Sequence, residues 1–219
     1  MKKILIIILS IILLIPFNVF AEEKKENTLL LAEDAKSAIM LEASTGEIIF
    51  EKNADEKLSP ASMTKIMSML LIIENIERGV ISWKEMVTVS AKASGMGGSQ
   101  ILLETGEKMS VEDLFKGIAI ASGNDAVVAL AEKIAGTEEV FVGMMNERAK
   151  ELGLKNTHFK NSHGLYAANH YSIARDMSII ARELVKHEKV LEFTSIYETY
   201  LRENLDTKVW LVNTNKIVG

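Results

Sequence analysis

The 219-residue sequence predicts a mixed domain, α+β or α/β, on three observations. Two β-prone runs, one from Lys36 and one from Glu47, flank Ser44-Thr45-Gly46. Apolar residues then recur at helical spacing in successive stretches between Ser62 and Lys186. Short extended pieces follow at 196–201 and 208–212.

Taken in order, the two β-prone runs around a glycine-containing turn read as a hairpin. Leu58-Ser59-Pro60-Ala61-Ser62 opens the first helix, with Pro60 in the first turn, where its absent N–H is not missed. That helix runs from Ser62 to Arg78 and stops at Gly79. Its nearly continuous apolar character predicts burial on several sides. Met86 to Ser90 reads as a short strand and Ser94 to Ser99 as a loop. Ser110-Val-Glu-Asp113 has the form of a capping box, with Asp in place of Glu, and opens a helix through Ala121. Ser122-Gly123-Asn124 interrupts the pattern, which resumes from Asp125 to Ala135 and ends at Gly136. A helix from Glu138 to Leu152 is closed by Gly153. Residues 158–169 are irregular, and Ser172 is expected to cap a helix through Lys186.

The first residues stand apart from this domain. Met1-Lys2-Lys3 is positive, Ile4 to Leu14 is almost wholly apolar, and Val19-Phe20-Ala21 has small residues at the two positions a signal peptidase reads. This is the layout of a secretory signal peptide, and its apolar run is shorter than the ~20 residues that span a bilayer. The expectation is therefore a signal peptide over 1–21, a flexible lead-in over 22–34, and export to the outer face of a bacterial cytoplasmic membrane or the cell wall. Composition agrees. With 25 Lys+Arg against 30 Asp+Glu the net charge is −5, which disfavours nucleic acid as a partner. The chain has no cysteine, which excludes a disulfide scaffold, a thiolate zinc site and a cysteine nucleophile.

Two constellations carry chemistry. In Ser62-Met63-Thr64-Lys65 the serine and lysine are three apart at a helix start and lie on one face. A serine hydroxyl is a poor nucleophile until a base takes its proton, and a lysine is such a base only when its pKa is lowered. A helix N-terminus disfavours the protonated lysine and offers free N–H groups to an oxyanion. By itself this spacing is also compatible with an ordinary surface pair. In Ser122-Gly123-Asn124 the break puts a hydroxyl and an amide on one tight bend, where they could relay a proton and hold a peptide carbonyl; the alternative is that Asn124 caps the next helix.

Ser-x-x-Lys followed some sixty residues later by Ser-x-Asn resembles the penicillin-recognising serine enzymes. The Ser-Gly-Asn form is similar to the low-molecular-mass penicillin-binding proteins, the serine D-alanyl-D-alanine carboxypeptidases. Leu58-Ser-Pro-Ala-Ser-Met-Thr-Lys, Gly97-Gly-Ser-Gln, Ser122-Gly-Asn-Asp-Ala, the stretch from Gly153 to Leu165, and His170-Tyr-Ser-Ile-Ala-Arg-Asp-Met share the likeness. The resemblance implies an α+β catalytic domain, a helical cluster against an antiparallel sheet. It implies Ser62 as nucleophile, Lys65 as its base, and Ser122 with Asn124 in proton relay and substrate binding. The implied substrate is a peptidoglycan stem peptide ending in D-Ala-D-Ala, with β-lactams as covalent inhibitors and no cofactor or metal. A class A β-lactamase shares Ser-x-x-Lys but wants Ser-Asp-Asn and a Glu-x-x-Leu-Asn loop; position 123 is Gly and that loop motif does not occur. A non-catalytic binder of stem peptides or β-lactams is the alternative of a different class.

One departure is serious. The family's third motif, Lys-Thr-Gly, is not found; the last residues read Asn215-Lys216-Ile217-Val218-Gly219. The expectation is a C-terminally truncated domain over 35–219, with an incomplete sheet and without the anchor through which the full-length protein would associate with a membrane. Such a polypeptide is expected to be unstable and nearly inactive.

The remaining conspicuous residues are expected to be structural. His158, His163, His170 and His187 make no His-Glu-x-x-His pattern, and His163 is expected to stabilise a loop. Met144 and Met145 are expected in the core, Trp83 and Trp210 as packing residues, and Gly97-Gly98 as loop geometry.

Overall fold

The computed structural model describes residues 31–218. The predicted signal peptide and residues 22–30 of the lead-in lie outside the described residues. Residues from Ala35 onward form one compact unit.

The expected hairpin is present. β1 (Ala38–Leu41) pairs antiparallel with β2 (Ile48–Lys52), with a bulge between Met40 and Leu41. Its turn is clamped by Arg182, which donates from Nε to the Ala43 carbonyl (2.7 Å) and from Nη2 to the Ser44 carbonyl (2.7 Å). Gly46 makes room for this clamp, because a Cβ there would stand 2.7 Å from Arg182 Nη1.

A 3₁₀ turn (Ala61–Met63) leads into α1 (Thr64–Glu77). This helix is the axis of the core. Met67, Leu70 and Ile72 are fully buried, and α1 packs against α3 (Val111–Ala121), α4 (Asn124–Ala135), α5 (Glu138–Glu151) and α6 (Ala174–Leu184). Neighbours on several sides explain why its sequence is apolar nearly all round rather than along one stripe. β3 (Met86–Thr88) pairs antiparallel with β4 (Lys108–Ser110), and a one-turn α2 (Ala91–Ser94) sits between them. Ser110 caps α3 by accepting from the Asp113 N–H at 3.0 Å, and its hydroxyl donates to Asp113 Oδ2 at 2.9 Å. α7 (Glu188–Thr194) precedes a last antiparallel pair, β5 (Glu198–Leu201) with β6 (Val209–Val212).

Several expectations are corrected. Ser172 does not cap α6. It bridges to Leu58 through the main chain, and its hydroxyl shares a hydrogen bond with Thr157 Oγ1 at 2.8 Å, so Ile173 takes the capping position with no side-chain bond. α6 ends at Leu184 rather than Lys186. α2, β4 and α7 were not legible as separate elements; each is seven residues or fewer, too short for a periodicity to emerge. Trp83 is a packing residue, edge-on to Phe115 (5.5 Å) and Phe193 (5.4 Å). Trp210 is not: it is 58% exposed, opposite Tyr200 on the β5–β6 ladder, with Nε1 donating to Glu198. Met145 is fully buried and Met144 packs against the core, as expected.

Candidate active site

The Ser62 turn has a strained entrance. Pro60 holds φ at −73°, and Ala61 then sits at φ +47°, in the left-handed region that costs an alanine about 1–2 kcal/mol. This reversal leaves Ser62 exposed on the 3₁₀ turn, while Lys65, one helical turn on, is only 2% exposed. Lys65 Nζ lies 3.3 Å from Ser62 Oγ and donates to the His163 carbonyl at 2.8 Å. No carboxylate comes within 4.0 Å of that nitrogen among the described residues. Burial without a counter-ion pushes the Lys65 pKa down to about 8. The same contact that an ammonium makes as donor reverses once the proton is lost, and the free amine then accepts from the serine hydroxyl.

Ser122 reaches the same place from the other side. α3 ends at Ala121, and Ser122 adopts the left-handed conformation (φ +58°, ψ 35°) with its N–H on the Ile118 carbonyl. It lines a cavity of about 550 Å³ together with Ser62, Lys65 and Met69. No direct hydrogen bond links Ser122 to Ser62 or Lys65 among the described residues. The third wall is the segment after β6, Asn213 to Asn215. It is held there by Asn213 Nδ2, which donates to the Thr194 and Ile196 carbonyls, and by the Thr214 N–H on the Ile120 carbonyl.

Asn124 is the site residue placed differently. It opens α4 without capping it, and its side chain points at the preceding loop, donating from Nδ2 to the Gly97 carbonyl at 2.6 Å. Its N–H bonds the Ser99 carbonyl at 2.7 Å. Gly98 (φ +79°) allows this approach, since a Cβ there would stand 2.7 Å from Asn124 Nδ2. Asn124 Oδ1 is buried with no hydrogen-bond partner among the described residues, and Asn124 does not line the cavity that Ser62, Lys65 and Ser122 share. The adjacent Asp125, 1% exposed, accepts from the N–H groups of Ile101, Leu103 and Ala126 and so anchors the segment that follows that loop.

The stretch from Gly153 to Leu165 was marked by resemblance, but its place behind Lys65 was missed, because its main chain, not its side chains, meets the lysine. The loop is tied down by Ser68, whose hydroxyl donates to the Ser162 carbonyl at 2.6 Å, and by Asn146, which pairs with both main-chain groups of Phe159. Gly164 (φ +93°) closes against the Ser62 turn, and a Cβ there would fall 1.8 Å from the Ala61 carbonyl oxygen. His163 stabilises this loop as expected, its Nδ1 accepting from the Leu165 N–H at 3.1 Å; burial pushes its pKa down, against the pull of Glu138. His170 is pushed down to about 4, chiefly by burial, and is neutral; its Nδ1 accepts from the Lys160 N–H, so Nε2 donates to Thr64 Oγ1 at 2.8 Å. No cluster of three or more His, Asp or Glu side chains fit to hold a metal ion occurs among the described residues.

A buried lysine of lowered pKa against an exposed serine on a helix start, inside an α+β domain, is the arrangement that serine–lysine acyl transfer requires. The family model described as D-alanyl-D-alanine carboxypeptidase (Peptidase S11) matches residues 22–219, and the chain belongs to that family. The chain is 54% identical over 220 residues to D-alanyl-D-alanine carboxypeptidase DacF of Bacillus subtilis, covering all of this chain and 57% of that protein. It is 40% identical to D-alanyl-D-alanine carboxypeptidase DacC of Escherichia coli, over 83% of this chain and 48% of that one. Among solved structures, penicillin-binding protein 5 of Haemophilus influenzae superposes with a TM-score of 0.79 at 33% identity, over 84% of this chain and 53% of that chain. The chain thus spans about half the length of the curated relatives it matches. The α+β reading holds, and the fold is that of the penicillin-binding proteins: helices with short antiparallel strands.

Proposed function

We propose that this chain carries the acylating centre of an exported serine peptidase that removes the terminal D-alanine from peptidoglycan stem peptides. The observation that carries the reading is the 3.3 Å approach of a buried, carboxylate-free Lys65 to Ser62. Lys65 as free amine takes the Ser62 proton while Ser62 Oγ attacks the carbonyl between the two D-alanines. Main-chain N–H groups at the helix start stabilise the oxyanion. Collapse of the tetrahedral intermediate breaks the peptide bond, and Lys65, through the Ser122 hydroxyl, returns the proton to the departing D-alanine amine. Water then hydrolyses the ester and frees Ser62. A β-lactam carbonyl enters the same path, and its ring nitrogen, still tethered to the acyl group, does not leave, so the ester persists.

The experiment is intact-mass spectrometry of the chain after exposure to a labelled penicillin, with Ser62→Ala alongside. A one-to-one adduct absent from Ser62→Ala supports the reading. A folded chain that takes no label, or a label that persists in the variant, overturns it. Steady-state release of D-alanine from a D-Ala-D-Ala peptide then separates an enzyme from a protein that only binds.

A further inference from the structure

We propose that Glu138 is a positioning residue for Lys65, acting through the main chain of the Ser162–Gly164 loop. The inference rests on the acyl-transfer reading only for its catalytic consequence. Glu138 is the first residue of α5, is 6% exposed, and faces the back of the loop. Its Oε1 accepts from the Ser162 N–H at 3.0 Å and from the Ser162 hydroxyl at 2.7 Å. Its Oε2 lies 3.0 Å from Lys92 Nζ, which also pairs with Glu139. The next residue of the loop, His163, presents its carbonyl to Lys65. One carboxylate therefore fixes the residue immediately before the one whose carbonyl orients the base.

The rest of the loop leaves that carbonyl little freedom only while Glu138 is in place. Ser68 holds the Ser162 carbonyl, and the Asn161 carboxamide accepts from the Gly164 N–H at 2.7 Å. His163 completes the link. Because its Nδ1 accepts from Leu165, a neutral ring carries its proton on Nε2, which lies 3.5 Å from Glu138 Oε1. The titratable and charged groups around Glu138 and His163 are thus Lys65 from α1, Lys92 from α2 and Glu139 from α5. The charged form of Glu138 is the one this site favours. Burial opposes it, but two Ser162 donors and Lys92 outweigh burial and hold the carboxyl below its ordinary range. The N-terminus of α5 adds a favourable dipole.

With His163 accepting one N–H of the Lys65 amine, the lone pair is left to face Ser62. Without Glu138, the Ser162 N–H and hydroxyl lose their acceptor, water reaches the loop, and Lys65 is rehydrated and turns. The consequence is a base that is more often charged and less often aimed.

The test follows the ε-carbon resonance of Lys65 through a pH titration in ¹³C-lysine-labelled full chain, assigned by its loss in Lys65→Arg, beside penicillin acylation rates. Glu138→Ala is expected to raise the Lys65 midpoint by about one pH unit and to slow acylation at pH 7 about tenfold. Glu138→Gln keeps an acceptor for Ser162 and is expected to restore the midpoint to within about half a unit. An unmoved midpoint and unchanged acylation in Glu138→Ala overturn the proposal, leaving Glu138 as a helix-end carboxylate only. Should that variant fail to fold, Glu138→Asp decides, because a carboxylate one methylene shorter is drawn away from the Ser162 N–H and hydroxyl: its midpoint is expected to rise in the same direction, and an unmoved midpoint overturns the assignment. If the parent chain takes no penicillin, the peptidase reading fails while the titration still decides the role of Glu138.

Discussion

Gly164→Ala tests how tightly the loop behind Lys65 is pressed on the Ser62 turn. Two costs can be worked from the structure. The first is conformational: Gly164 has φ +93°, and an L residue held at positive φ loses about 1–2 kcal/mol. The second is steric. The new Cβ would stand 1.8 Å from the Ala61 carbonyl oxygen, 2.4 Å from its carbon and 3.0 Å from Thr64 Oγ1. The first two atoms are backbone and cannot rotate away, so the overlap adds about 3 kcal/mol, the upper end of overpacking costs. The expected total of about 4–5 kcal/mol approaches the whole stability of a small domain. Gly79→Ala is the internal control. Its φ of +74° is similar, but nothing lies within 4 Å of its Cβ, so it should lose only about 1–2 kcal/mol. The assay is urea unfolding of both variants beside the parent, with penicillin labelling of whatever remains folded. Equal losses in the two variants refute the reasoning, because the backbone contact between Gly164 and Ala61 then costs nothing.

Acylation of Ser62 is expected to rise with pH and level off above a midpoint near 8, since only unprotonated Lys65 accepts the serine proton. At pH 7 about one Lys65 in ten is free amine, against about one in three thousand for an ordinary lysine. A rate that is flat from pH 6 to 9 rules Lys65 out as the base. The stability consequence has a defined sign: the unfolded chain binds the proton more tightly, so the penalty is full below pH 8 and vanishes as pH rises towards 10.5. Lys65→Met should therefore raise the urea midpoint at pH 7 while lowering acylation by at least about a hundredfold. Asp125→Ala strands three buried N–H groups and should cost about 2–4 kcal/mol in a urea titration, with Asp125→Asn losing less. Ser110→Ala removes the α3 cap and should cost about 1 kcal/mol by the same measurement.

Much of the fold was legible because its signals are local. The hairpin, the long helices and the capping serine at 110 follow from residue type and spacing within a dozen positions. Short elements were not, since one turn of helix or three residues of strand carry no period. Ser172 misled because serine suits both a cap and a bridge, and Thr157, fifteen residues away, decided between them. Trp210 misled because its bulk predicts burial, while the two-stranded ladder exposes the face on which it stands.

The site divides in the same way. By itself the sequence determined that Ser62 and Lys65 share one helix face, because three-residue spacing on a helix leaves no other arrangement. It also determined that Ser122 and Asn124 lie on a bend between helices. Only the tertiary structure decided that Lys65 is buried with no carboxylate among the described residues within 4.0 Å, and hence that its pKa falls, because desolvation depends on what α1 is packed against. Only the tertiary structure brought the His163 carbonyl, 98 positions along the chain, to the lysine and set Glu138 behind it. Those contacts join main-chain groups to distant side chains, and a main-chain carbonyl is the same in every residue.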